Sequence, residues 1–197
     1  HQFYNDNTPA TEEAEQNWIP GVFIQDEIKF NDKHSVLLGT RYDYNDNHGS
    51  IFTPRFAYKW KINEHDILRL NAGTGFRIVN IFTEEHAALT GARDVVILED
   101  LKPEQSYNAN INFLKKLYSD NGTYLSFEAA AWFTYFTNQI TPDYDSDPNK
   151  IIYKNLNGHA ITTGLSANAD LVLTNGLKFI LGATYMNVEK TEDGITT

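Results

Sequence analysis

Residues 66–86 read DILRLNAGTGFRIVNIFTEEH, and this stretch decides the fold. From Leu68 to Phe76 apolar or small side chains alternate with arginine, asparagine and glycine. A period of two residues is typical of a β-strand that has one apolar and one polar face. The strand is followed directly by a loop of about twenty residues, from Ile81 to Pro103. Long loops on rigid scaffolds commonly carry recognition, so this junction is the first place to look for a site.

The same alternation recurs along the whole chain and predicts about eight strands in all. The other predicted strands span residues 18–30, 35–46, 53–62, 104–117, 123–140, about 150–173 and 177–188. Several of them exceed ten residues, whereas strands of globular sheets usually have about five or six. A tilted strand needs about 9–11 residues to cross the hydrocarbon of a bilayer. Strand length therefore favours a membrane-spanning sheet.

The predicted connections alternate between short and long. Tight turns fall at 31–34, 63–65, 119–122 and 174–176, and longer loops at 46–52, 81–103 and 141–150. This layout indicates an all-β, antiparallel up-and-down meander with its tight turns at one end. One face of each strand is aliphatic or aromatic, and the opposite face is rich in Asn, Ser, Gly and Arg. The pattern favours part of a larger transmembrane β-barrel, apolar towards lipid and polar towards the lumen, over a soluble sandwich with shorter strands.

Composition excludes several classes of function. The 197 residues carry 16 Lys+Arg and 26 Asp+Glu, a net charge of −10, which argues against a nucleic-acid partner because phosphate binding needs a basic face. There is no cysteine, so disulfides, thiolate metal sites and a cysteine nucleophile are excluded within this sequence. No apolar run approaches the roughly 18 residues of a membrane helix, and residues 1–17 show no signal-peptide pattern.

Four segments together resemble one family. They are TPRFAYKW (53–60), GTGFRIVNIFTEEHAALTGAR (73–93), LKPEQSYNANINF (101–113) and YKNLNGHAITTGLSANADL (153–171). Their order and spacing resemble the later part of the barrel of TonB-dependent outer-membrane receptors. The wording NIFTEEHAALTGAR is similar to that of receptors from Bacteroidetes-type bacteria. The resemblance implies that residues 1–197 are a partial barrel domain of the bacterial outer membrane, as an open sheet without the plug domain and coupling box of the complete family pattern.

The resemblance also implies a function. In this family a barrel filled by a plug binds a scarce nutrient of the siderophore, haem or cobalamin type and imports it with energy from the TonB complex. The implied partners are that complex, acting through the plug and coupling box, a small nutrient ligand and outer-membrane lipid; no cofactor is implied. The alternatives are a SusC-like glycan importer with a surface lipoprotein partner, or a passive porin or structural barrel. A soluble lectin-like β-domain ranks third.

Several residues are candidates for contact with a ligand. Arg41, Arg55, Arg69 and Arg77 fall on the predicted lumen face, where they guide a ligand, contact the plug, or form ion pairs with residues such as Asp43 and Glu128. Arg77 is the strongest of the four because it lies beside the long loop. Within that loop the candidates are Glu84, Glu85, His86 and Arg93, with a loop that merely shapes the mouth of the barrel as the alternative. The spacing of His86 and its neighbouring carboxylates does not by itself make a metal site.

Asp143, Asp145 and Asp147 form a D-x-D-x-D pattern, the way in which an oxygen-rich calcium loop begins. The glycine and the terminal glutamate of an EF-hand loop are missing, so a solvated acidic loop is favoured over a metal site. The chain also contains no GxSxG, HExxH or P-loop motif. The sequence therefore predicts no enzymatic activity.

Overall fold

The computed structural model describes residues 2–4, 15–79 and 93–196 of the chain. In this part of the chain the regular structure is entirely β. The strands are β1 (Gln2–Tyr4), β2 (Glu15–Asn17), β3 (Gly21–Lys29), β4 (His34–Asn45), β5 (Gly49–Lys61), β6 (Asp66–Arg77), β7 (Asp94–Ile97), β8 (Glu104–Tyr118), β9 (Tyr124–Asn138), β10 (Ile140–Asp143), β11 (Lys150–Asn155), β12 (Gly158–Val172), β13 (Lys178–Glu192) and β14 (Ile195–Thr196). None of these residues forms a helix that is long and apolar enough to cross a membrane.

Most strands form one antiparallel meander. Its nine strands in the described residues lie in the order β14-β13-β12-β9-β8-β6-β5-β4-β3, and each long strand pairs with its neighbours in antiparallel register. Eight of the nine strands are long, from nine residues in β3 to fifteen in β12. The predicted all-β meander of about eight long strands is therefore confirmed. A separate three-stranded sheet, which we call the outer sheet, has the order β10-β11-β7.

One predicted strand is wrong as a single element. The segment of about 150–173 divides into β11, which belongs to the outer sheet, and β12, which belongs to the meander. The division lies at residues 156–157, where the Leu156 N–H donates to the Gln139 carbonyl at 2.7 Å. Periodicity does not resolve this boundary, because residues 150–161 (KIIYKNLNGHAI) do not alternate between apolar and polar.

The predicted connections also need correction. The loop expected at 46–52 is a three-residue turn at 46–48, because β5 already begins at Gly49. The long loop at 81–103 contains β7, and the loop at 141–150 contains most of β10. Short turns therefore occur at both ends of the meander. At the end shared with the outer sheet, Asp193 and Gly194 have φ of 51° and 81°, the left-handed pair that a two-residue hairpin turn requires.

The two faces of the meander are as predicted. Leu70 on β6 lies opposite Tyr58 on β5 and Ile111 on β8, so one apolar face runs across the strands. Side chains on this face are open to the surroundings, as Leu181 with 71% exposure shows. An exposed apolar face of this size marks a membrane contact. The buried apolar cluster lies instead in the outer sheet, where Ile151 and Tyr153 are at most 3% exposed.

Candidate functional site at the outer end of the lumen face

The outer sheet is built from the connections at the end of the meander opposite the tight turns 62–65 and 119–123. β11 pairs with β10 in antiparallel and with β7 in parallel register. Ile151 and Tyr153 on β11 pack against Val79, Val95, Leu101 and Ile140. This small apolar core holds the outer sheet together as a folded unit at the end of the meander, and we call this unit the cap. Side chains at its margin are therefore held in fixed positions.

Arg77 is tied to this cap. It is the last residue of β6, and its Nε donates to Glu104 Oε2 at 2.8 Å. The other oxygen of Glu104 accepts the Ile140 N–H at 3.0 Å. Glu104 is only 7% exposed, whereas the Arg77 side chain is 57% exposed. Glu104 thus joins β6, β8 and β10 and presents the Arg77 guanidinium at the surface.

Asn155 forms a second junction, for which the sequence pattern suggested no role. Its amide donates to the Asp100 carbonyl at 2.9 Å and accepts the Lys102 N–H at 2.8 Å. Asn138 at the end of β9 donates to the same Asn155 oxygen at 3.3 Å and to the carbonyls of Lys102 and Pro103. The LKPE motif (101–104) and the YKNLNG motif (153–158) therefore meet at Asn155.

Lys154 links the cap to the meander. Its Nζ lies 2.8 Å from Glu192 Oε1 at the end of β13. The hydrogen bond to Glu192, helped by the charge of Glu192, raises the pKa of Lys154 above its ordinary value, although burial acts in the opposite direction. The ammonium therefore stays charged throughout the physiological range. The outer sheet is tied to the meander at both β6 and β13.

Arg93 lies at the other margin of the cap. Its Nη1 donates to the Tyr144 carbonyl at 3.0 Å, which joins the chain before β7 to the loop between β10 and β11. The structure therefore places Arg77 at the base of the cap, beside Glu104 and Ile140, and Arg93 at its far end, beside the loop between β10 and β11. The remaining loop candidates, Glu84, Glu85 and His86, lie outside the described residues. The contribution of these five residues to ligand binding stays a prediction.

The acidic loop uses its carboxylates locally. Asp143 accepts the N–H groups of Asp145 and Ser146 at 3.0 Å and the Ser146 hydroxyl at 2.7 Å. These hydrogen bonds, led by that of the hydroxyl, hold the pKa of Asp143 below its ordinary value. Asp147 accepts the Asn149 N–H and pairs with Lys150 at 3.6 Å. Among the described residues no group of three or more His, Cys, Asp or Glu side chains could hold a metal ion.

Below the cap, the lumen face is lined with hydrogen-bonding groups. Arg41 donates to both oxygens of the fully buried Asp43 at 2.7–2.9 Å, which confirms the expected ion pair. Arg69 reaches Glu128 only indirectly, because it donates to Asn112, and Asn112 donates to Glu128. Arg55 extends across Gly39, where a side chain would crowd it. The four lumen arginines therefore differ in how they are held.

A depression of about 430 Å³ lies on this part of the lumen face, and its lining includes Leu37, Arg55, Asn71, Asn108 and Asn110. Asn71 donates to Asn110 at 2.8 Å, and Asn108 accepts the Thr134 hydroxyl at 3.1 Å. Amide and guanidinium groups in such a wall donate hydrogen bonds to oxygen-rich solutes. The arrangement suits recognition or passage of a polar solute.

Comparison with known proteins agrees with this architecture. A family model described as TonB dependent receptor-like, beta-barrel matches residues 2–197. The chain is 26% identical over 180 residues to an iron-regulated outer membrane virulence protein of Vibrio cholerae serotype O1. That match covers 85% of this chain and 27% of the Vibrio protein, so the chain spans about a quarter of the length of this relative.

Solved structures show the same fold. The siderophore receptor PirA of Pseudomonas aeruginosa matches with a TM-score of 0.74 at 18% identity, over 92% of this chain and 34% of the receptor. The FrpB iron transporter of Neisseria meningitidis matches with a TM-score of 0.68 at 18% identity, over 89% of this chain and 26% of the transporter. At these identities the likeness establishes the architecture alone.

Proposed function

Because the chain belongs to the TonB-dependent receptor-like β-barrel family, we propose that it forms part of an active importer in the bacterial outer membrane. The complete protein binds a scarce nutrient of the siderophore type at its outer face and imports it with energy from the TonB complex. Residues 1–197 contribute barrel wall and outer loops, and the plug lies outside them. The amino-acid sequence of residues 80–93, NIFTEEHAALTGAR, supports a receptor of the Bacteroidetes type.

One observation carries the proposal. The chain combines long strands that are apolar on one face with a folded cap at one end, where Glu104 holds Arg77 toward the surface. A passive pore needs only a polar lumen, whereas a receptor needs donors held in fixed positions at its outer mouth. The names of the relatives, an iron-regulated outer-membrane protein and siderophore receptors, support a ferric siderophore as the ligand class.

The test is uptake by cells that carry the full-length gene. A strain deleted for the gene and grown under iron limitation should lose uptake of a radiolabelled ferric siderophore, and the intact gene should restore it. Uptake should also require the TonB complex. Uptake that persists without TonB would indicate a passive porin, and growth dependent on a glycan instead of iron would indicate a glycan importer. Either result overturns the proposal.

The same assay tests the candidate residues. Arg77→Gln and Arg93→Gln should each raise the siderophore concentration needed for half-maximal uptake at least about tenfold, because a lost charge-assisted hydrogen bond costs about 1.5–3 kcal/mol. Lys150→Gln is a matched control, since Lys150 is also a cation of the outer sheet, and its ion pair among the described residues is with its neighbour Asp147. Equal effects of all three substitutions would show that general outer charge, and not these arginines, governs binding.

A further inference from the structure

The lumen face near the tight turns of β3–β6 carries cations that the described residues do not neutralise. We propose that this basic strip, defined as Lys29, Lys59, Lys61 and Arg69, docks an acidic polypeptide surface inside the barrel. The inference rests on the proposed function, because an importer of this family is filled by a plug. It adds the chemistry and the position of one contact between that plug and the wall.

The register places the cations side by side. Lys29 lies opposite Ser35, Ser35 lies opposite Lys59, and Lys59 lies opposite Arg69, so one row crosses four strands. Lys61 follows two residues after Lys59 on the same face of β5. Like charges directly opposite each other destabilise a sheet. The pair of Lys59 and Arg69 therefore calls for negative charge from outside the wall.

The wall itself supplies little negative charge at this place. The ion pairs of the described residues include none of Lys29, Lys59 or Lys61. Arg69 donates to Asn112, a neutral amide, and the carboxylate of Glu128 reaches Arg69 only through that amide. A depression of about 560 Å³ is lined by the three lysines together with Glu27, Asn31, Asp32, Lys33, His34 and Ser35. The depression has two carboxylates, Glu27 and Asp32, and four lysines, and Arg69 adds a further positive charge beside Lys59.

Another part of the lumen face is balanced. On β12 and β13, Lys178 lies 3.5 Å from Asp170. The excess of positive charge is therefore a local feature of β3–β6 in a chain whose net charge is −10. A local excess of one sign attracts a partner surface of the opposite sign.

The extent of the strip favours a polypeptide over a small anion. Four strands span roughly 14 Å at about 4.8 Å between neighbours, which is wider than one carboxylate or phosphate group. Half-buried apolar side chains lie among the cations on the same face, namely Leu37, Ala57 and Ile67. Apolar patches interleaved with charge suit the surface of a folded domain better than a hydrated ion.

The test uses the full-length protein in the outer membrane. A Ser35→Cys reporter lies in the middle of the strip, and these 197 residues contain no other cysteine. In the otherwise unchanged protein we expect slow reaction with a neutral, water-soluble maleimide, because the acidic surface covers the reporter. Adding Lys59→Glu should accelerate labelling several-fold, and Lys59→Gln should have an intermediate effect. High salt should also accelerate it, since screening weakens exposed charge contacts.

Lys59→Glu separates docking from the stability of the wall. The new carboxylate lies opposite Arg69, so it relieves the like-charge pair and should leave the melting temperature of the barrel unchanged or raised. A Ser166→Cys reporter on the lumen face of β12 is the matched control, and Lys59→Glu should not alter its labelling. Faster labelling at position 35 alone, with barrel stability retained, supports the proposal.

Other outcomes overturn it. Equal labelling at position 35 with and without Lys59→Glu would show that no acidic surface covers the strip. Protection that appears only when a ferric siderophore is added would assign the strip to a small anion on the transport path. Siderophore uptake measured on the same cells keeps the two proposals apart. Uptake with a fully reactive reporter refutes only the docking surface, whereas absence of uptake with a protected reporter refutes only the proposed function.

Discussion

Replacing Glu104 by alanine tests whether the outer cap is held to the meander as the structure indicates. Glu104 is the first residue of β8 and accepts from the Arg77 side chain and from the Ile140 N–H. Alanine removes both acceptors and leaves the Ile140 N–H half-buried without a partner. The substitution should loosen β10 and the base of the loop that follows β6, while the meander keeps its pairing.

The size of the effect follows from the two lost hydrogen bonds. A buried donor left unsatisfied costs about 1–3 kcal/mol. The ion pair contributes less, about 0.2–1 kcal/mol, because the Arg77 side chain is more than half exposed and solvent screens it. Opening of the cap should therefore become easier by about 2 kcal/mol, which corresponds to about a thirtyfold rise in the population of the open form.

Amide hydrogen exchange on the full-length protein in lipid measures this directly, since exchange reports the free energy of local opening. Glu104→Ala should reduce the protection of β10 and β11, with the amides of β8 and β9 in the meander unchanged. Glu104→Gln is the matched control, because its side-chain oxygen can still accept the Ile140 N–H and only the charge is lost. Its effect should stay below about 1 kcal/mol.

Unchanged protection of β10 in Glu104→Ala would refute the reasoning, since it would show that the apolar cluster of Ile151 and Tyr153 holds the cap without Glu104. Equal loss of protection in alanine and glutamine variants would refute it differently. In that case the charge of Glu104, and not its acceptor for Ile140, would carry the attachment.

Three further predictions follow from the same structure. Leu38→Arg places a charge on the apolar face near the membrane midplane and should lower the free energy of unfolding in lipid vesicles by about 2–4 kcal/mol. Asn71→Ser on the lumen face should cost less than about 1 kcal/mol. Equal costs of the two substitutions in a urea titration would show that the assignment of the two faces is wrong. Gly164→Ala should displace the indole of Trp132, which covers Gly164, and shift its fluorescence emission, and an unchanged spectrum would contradict the contact. The pKa of Asp143 is lowered in the folded protein, so its stabilisation of the β10–β11 loop is complete above the ordinary aspartate pKa of about 4 and is lost as pH falls through the lower folded value. Hydrogen exchange of the Asp145 and Ser146 amides should therefore become faster on acidification. Asp143→Asn should remove this pH dependence.

The meander could be predicted from the sequence because its determinant is local. In β6, alternation alone gives the strand and its faces, since one face meets lipid and the other meets water. The outer sheet could not be predicted in this way. β7 has only four residues, DVVI, and its partner in β11 lies beyond β8, β9 and β10 in the chain. A pairing of this kind leaves no periodic signal.

The candidate site was predicted in part. Arg77 stood out because it ends a strand beside a long loop, and the structure places it at the cap. Glu104 and Asn155 did not stand out, because their importance comes from partners distant in sequence, such as Ile140 and Asp100. One local signal was available at the change of sheet. Gly158 leaves no room for a side chain beside the Thr191 carbonyl, so the Asn-Gly pair at 157–158 marks the start of β12.

The parallel pairing of β7 with β11 sets an order of assembly. β7 precedes β8 in the chain, whereas β11 follows β9, so the hairpin of β8 and β9 lies between the two partners. Contacts between segments distant in sequence form late, because the loop between them must first be closed. Placing that hairpin beside β6 closes this loop in advance. The cap should therefore mature after the wall beneath it, and an intermediate with an inserted sheet and an unformed mouth should accumulate whenever β7 is altered.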